Sequence, residues 1–172
     1  MKWILIAVAV LVGVVGLVAL IGALLPREHT ASRSAVIHQP AESVWAVVRD
    51  LGGVTTWWPE IKSAERLPDQ GGHEAWRQTM GNNYAMPLEV TESDPPRRLV
   101  TRIASPEGAP FGGRWVYTIV PEPGGSKVSV TEEGWIANPI FRFVANVMGL
   151  DTTLKGYLKA LGKKFGEDVQ IS

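Results

Sequence analysis

From Trp3 to Leu25 no side chain carries a charge, an amide or a hydroxyl; the run is Leu, Val, Ile and Ala with three Gly and one Trp. As a helix such a run reaches about 35 Å at ~1.5 Å per residue, enough to cross a hydrocarbon core of about 30 Å. A cleaved signal has a shorter apolar region, about 7–15 residues, and a small-residue cleavage site. Here the run ends in Gly22-Ala23-Leu24-Leu25, followed by Pro26 and Arg27. It predicts an uncleaved, single-pass transmembrane helix over residues 3–25, within an anchor segment 1–26.

Beyond Pro26 the apolar positions become periodic. Arg33–Ile37 alternates and predicts a strand, with residues 26–32 as a short linker. Pro40 and Glu42 suit the first turn of a helix. Val44, Trp45, Val47, Val48 and Leu51 give that helix one apolar face, and Gly52-Gly53 end it. Val54–Trp58 predicts a further helical turn, closed by Pro59. From residue 61 the period is two, predicting strands over 61–67, 74–80, 85–92, 97–104, 114–120 and 127–136. The breaks carry turn residues, as in Pro68-Asp69-Gln70-Gly71-Gly72 and Pro121-Glu122-Pro123-Gly124-Gly125. Breaks this short favour hairpins, hence an antiparallel meander. After Asn138-Pro139 the period returns to 3.6. Ile140, Val144, Val147, Leu154, Leu158, Leu161 and Phe165 fall on one stripe of a long helix expected over 139–165, with Gly149 and Gly156 as its weak points. A one-faced sheet with a long helix laid across it is an α+β domain, residues 27–172.

Composition narrows the chemistry. The 172 residues hold 17 basic and 17 acidic side chains and no Cys. Without Cys there are no disulfides, thiolate metal sites or Cys nucleophiles. The balanced charge argues against a nucleic-acid face, which needs a basic excess. Mean hydropathy of +0.06 is high for a chain with 20% charged residues, and the excess belongs to the N-terminal run. Charges flanking that run nearly balance, Lys2 and the amino terminus against Arg27 and Arg33. A signal-anchor beginning at residue 3 has almost nothing to translocate, so the favoured topology puts the N-terminus inside and the domain outside. His29, His38 and His73 lack metal-ligand spacing, and no metal site is expected.

Several strings resemble the SRPBCC superfamily, which includes START-like domains and polyketide cyclase/dehydrase and lipid transport-like domains. They are Gln39-Pro40-Ala41-Glu42-Ser43-Val44-Trp45, Trp57-Trp58-Pro59-Glu60-Ile61, Asp94-Pro95-Pro96-Arg97-Arg98-Leu99, Gly112-Gly113-Arg114-Trp115 and Gly156-Tyr157-Leu158. The likeness covers about residues 30–168. It implies a helix-grip fold: a curved seven-stranded antiparallel sheet around a long C-terminal helix, with a hydrophobic cavity between them. It implies no single activity, since carriers, cyclases and receptors share the fold, and no cofactor.

Strand parity then names an inward face. Its candidate ligand-binding residues are Trp76, Gln78, Met80, Met86, Leu88, Thr101, Ile103, Trp115 and Tyr117, joined by Val144 and Met148 of the helix. Arg77, Glu89, Arg98, Arg102 and Arg114 point outward. Parity carried past Val128 and Val130 turns Glu132 inward, where it would orient a polar ligand group or act as a general acid or base; Tyr117 is the other catalytic candidate. Asp151 is expected beside the apolar stripe of the helix. In a helix-grip fold Trp57 and Trp58 would border the cavity mouth as a gate. The leading expectation is a membrane-anchored binding protein for a hydrophobic small molecule or lipid. A polyketide cyclase/dehydratase-like enzyme using a cavity carboxylate is the second, and a protein-interaction module without a ligand the third.

Overall fold

A computed structural model describes residues 1–81, 83–106 and 108–172 of the chain. Its elements are α1 (Lys2–Leu24), β1 (Glu28–Ile37), α2 (Ala41–Arg49), a 3-10 turn (Gly53–Thr56), β2 (Ile61–Gln70), β3 (His73–Met80), β4 (Ala85–Asp94), β5 (Arg98–Ile103), β6 (Phe111–Glu122), β7 (Gly125–Ile136), α3 (Pro139–Met148) and α4 (Thr152–Lys164). The strands form one antiparallel sheet in the order β1-β7-β6-β5-β4-β3-β2. Strands β2 to β7 follow one another as hairpins, and β1 returns to close on β7 from Glu28↔Trp135 to Ile37↔Ser126. With α2 and α4 over one face, this is the helix-grip arrangement.

The core lies between sheet and α4. Leu154, Leu158 and Leu161, spaced i, i+4, i+7, are wholly buried and share a cluster with Ile37, Val44, Leu99, Ile119, Val128 and Val130. Each such side chain contributes about 1.5–3 kcal/mol of transfer free energy. The C-terminal tail adds to the edge of the sheet: Ser34 and Ser172 exchange both backbone N–H···O bonds at 2.9 Å. Val169 and Ile171 pack on the core from there.

Two expectations need correction. The first strand begins at Glu28, not Arg33, because the polar run 28–32 pairs fully with β7; the expected linker shrinks to residues 25–27. The expected single helix over 139–165 is two helices. Gly149 adopts φ +90°, a conformation open to glycine, and the hydroxyl of Thr152 takes up the carbonyls of Met148 and Gly149. The break re-aims the stripe. Leu154, Leu158 and Leu161 of α4 are core, whereas Ile140, Val144 and Val147 of α3 are exposed.

The apolar α1 is long enough to cross a membrane. Its C-terminal end packs on the start of α3. Gly22 is buried there, and a methyl group in its place would overlap the carbonyl of Pro139. The Arg142 guanidinium donates from Nη1 to the carbonyl oxygen of Leu25 at 2.7 Å. That carbonyl belongs to the negative end of the α1 dipole, so a cation is the fitting partner.

Candidate functional site

A cavity of about 500 Å³ lies between the sheet and the helices α3 and α4. Backbone alternation puts its sheet-side wall in place. Gln78 and Met80 of β3, Met86 and Leu88 of β4, Thr101 and Ile103 of β5, and Trp115 and Tyr117 of β6 all line it. Glu132 of β7 and Val144 and Met148 of α3 complete the expected set. Trp76 does not reach it. Its ring stacks under the backbone of Gly52, and its indole N–H donates to Glu74 at 2.7 Å.

One row of the sheet carries the polar groups. Thr101 pairs with Trp115, Trp115 with Glu132, and Glu132 with Ala31. Burial pushes the Glu132 carboxyl above the usual carboxylate range, while His29 and the indole N–H of Trp115 pull it partly back. The Nε2 of His29 lies 3.4 Å from Glu132 Oε1. Sequence reasoning missed His29, because the polar run that carries it showed no apolar alternation. Gly134, opposite His29 on β7, makes room for that ring: a methyl group there would lie 2.8 Å from His29 Cε1.

The interior end of the cavity is aromatic. Trp58, Trp115 and Tyr117 surround Tyr157 with ring centroids 5.1 to 5.8 Å away, within the range of favourable edge and tilted contacts. Burial pushes the hydroxyls of Tyr117 and Tyr157 well up, so both stay protonated, and Tyr117 shares a hydrogen bond with Thr101. Among the described residues the buried indole N–H of Trp58 has no hydrogen-bond partner.

The gate expected of Trp57 and Trp58 is therefore misplaced. The 3-10 turn packs against β2, Trp58 is only 6% exposed, and Trp57 stands edge-on to Tyr157 at 5.3 Å. The cavity rim is instead built by α3, whose Phe141, Val144 and Met148 line the cavity and are exposed. Asp151, the other carboxylate expected near the helix stripe, lies outside the cavity lining, in ion pairs with Arg33 and with Lys155 at 2.8 Å.

On the outer face the arginines are paired across strands. Arg102 meets Glu89, Arg114 meets Glu133 and Arg77 meets Glu65. The open depression between the first two pairs has its charges already matched. Among the described residues no group of three His, Asp or Glu is placed to hold a metal ion.

Residues 28–167 match the family model described as polyketide cyclase/dehydrase and lipid transport. No curated protein matches the chain. Among solved structures, a START superfamily protein from Mycobacterium smegmatis is similar at 20% identity and a TM-score of 0.62, over 79% of this chain and 96% of that one. An aromatase/cyclase from Streptomyces sp. R1128 is similar at 14% identity and 0.66, over 80% and 93%. A protein from Thermobifida fusca is similar at 23% identity and 0.60, over 80% and 93%. At these identities the likeness is one of fold.

Proposed function

The chain belongs to the polyketide cyclase/dehydrase and lipid transport family, and on that premise we propose that it is a membrane-anchored binding protein for one hydrophobic small molecule or lipid. The observation that carries this reading is the cavity of about 500 Å³. Pockets of roughly 300–1,000 Å³ with mostly apolar walls and a few polar groups suit such ligands. Met80, Met86, Leu88 and Ile103 take the apolar body of the ligand. Glu132, with His29 beside it, takes a polar end, and a hydrogen-bond acceptor that reaches the interior meets the N–H of Trp58. The anchor keeps the cavity near ligands that partition into the bilayer.

The full chain, extracted in mild detergent and incubated with a total membrane lipid extract, is the material for the test by native mass spectrometry. The wild type should carry one equivalent of an apolar ligand. Ala145→Trp, which fills the cavity from α3, should lose at least tenfold of that occupancy while keeping its Tm. A wild type that takes up nothing overturns the reading.

A second reading has its own support in Glu132. A half-buried carboxyl whose pKa burial raises, at a cavity wall, can act as a general acid or base in a cyclisation or dehydration. It requires a pH-dependent turnover that Glu132→Gln abolishes with the fold intact.

A further inference from the structure

We infer that α3 lies in the headgroup region of the membrane that α1 crosses, so that the cavity opens toward the lipid rather than toward water. The inference rests on the reading of α1 as a membrane span. Large apolar side chains are exposed on α3 at Ile140, Phe141, Val144, Val147 and Met148. At 100° per residue these positions fall within one third of the helix circumference, a single continuous stripe. The charged residue of α3, Arg142, points away from the stripe and is buried against Leu25. An apolar stripe of this size on an otherwise mixed surface marks contact with a protein or a membrane.

The packing of α1 on α3 selects the membrane. Gly22 touches Pro139, the first residue of α3, and Arg142 holds Leu25, one residue past the end of α1. At 1.5 Å per residue, Gly22 lies about 3 Å from the last residue of α1. The start of α3 is thus fixed at the depth where α1 leaves the hydrocarbon. Its exposed stripe follows from that point, and amphipathic helices bury such faces about 5–10 Å into the headgroup and acyl boundary. Phe141, Val144 and Met148 belong both to the stripe and to the cavity lining. A lipid-soluble molecule leaving the bilayer along that rim enters the cavity without crossing water.

The chain has no cysteine, so single nitroxide labels can be placed in the full-length protein reconstituted in phosphatidylcholine/phosphatidylglycerol vesicles. Leu11→Cys reports α1, Val147→Cys reports the α3 stripe, and Lys127→Cys on the sheet is the aqueous reference. Relaxation by oxygen should exceed relaxation by a water-soluble nickel chelate several-fold at Leu11 and Val147, with Val147 the shallower, and the order should invert at Lys127. A label at Val147 that is as open to nickel as the one at Lys127, with Leu11 deep, overturns the inference while the anchor stands. A water-exposed Leu11 removes the anchor and the inference together. Disulfide-linked dimers of unlabelled Val147→Cys at lipid-dilute concentrations would show a second copy on the stripe and also overturn it.

Discussion

The guanidinium of Arg142 reaches back to the carbonyl oxygen of Leu25, 117 positions earlier in the chain, and donates a 2.7 Å hydrogen bond to it. The contact ties the apolar N-terminal helix to the rim of the cavity. Arg142 is only 7% exposed, so little water is at hand to replace the bond. A buried hydrogen bond from a charged donor contributes about 1.5–3 kcal/mol.

Arg142→Ala should therefore loosen the junction while the sheet stays folded. Arg27 is the trypsin site in that junction, and its carbonyl is held by the amide of Ile136 at 2.9 Å. In detergent, cleavage after Arg27 should accelerate about tenfold or more in the variant, with the product domain resistant. Gly22→Leu, which collides with Pro139, should act in the same direction. Unchanged cleavage in both would show that the junction does not depend on this packing.

Glu132 should leave a signature in the pH dependence of stability. Its folded pKa is raised above the ordinary carboxyl value of 4.5 by burial. The folded chain thus holds this proton more tightly than the unfolded chain. The resulting stabilisation is full below the unfolded pKa and is lost as pH rises through the folded pKa. Glu132→Gln removes that loss. Melting temperatures of the two proteins should converge near pH 4 and separate above pH 5, with the variant the more stable. In a His29→Ala background the gap that Glu132→Gln opens at neutral pH should widen, because His29 lowers the pKa of Glu132. Parallel curves would mean that the carboxyl is solvated.

The break between α3 and α4 should resist substitution. Gly149 has φ +90°, and residues with side chains are held in such regions at a cost of about 1–3 kcal/mol. Gly149→Ala should lower stability by about that amount in denaturant titration. If the chain instead joined α3 and α4 into one helix, Arg142 would turn away from Leu25, and trypsin would again report an open junction. A variant as stable as wild type with a closed junction would contradict the role given to Gly149.

Much of the site was legible along the chain because strand parity is a local property. Once period two assigns residues 74–80, 85–92, 97–104 and 114–120 to strands, alternation dictates which side chains share a face. Gln78, Met80, Met86, Leu88, Thr101, Ile103, Trp115 and Tyr117 follow from that rule, and Glu132 follows from its extension. Trp76 obeys the same parity yet lies beyond the cavity, under Gly52, because alternation sets a direction and not a position along the sheet. His29 was hidden because Thr30, Ser32 and Ser34 give β1 no apolar rhythm. Its strand state comes from hydrogen bonding to β7.

The sequence by itself determined the apolar span, the order of elements and the inward face of each strand, since each depends on neighbours a few residues apart. Tertiary structure alone decided where α3 points. Ile140, Val144 and Val147 carry the same 3.6-residue period as Leu154, Leu158 and Leu161, and a period cannot say what a face meets. The turn at Gly149 and the long-range bond from Arg142 to Leu25 set that. They leave one half of the stripe in the core and the other at the rim of the cavity, beside the end of α1.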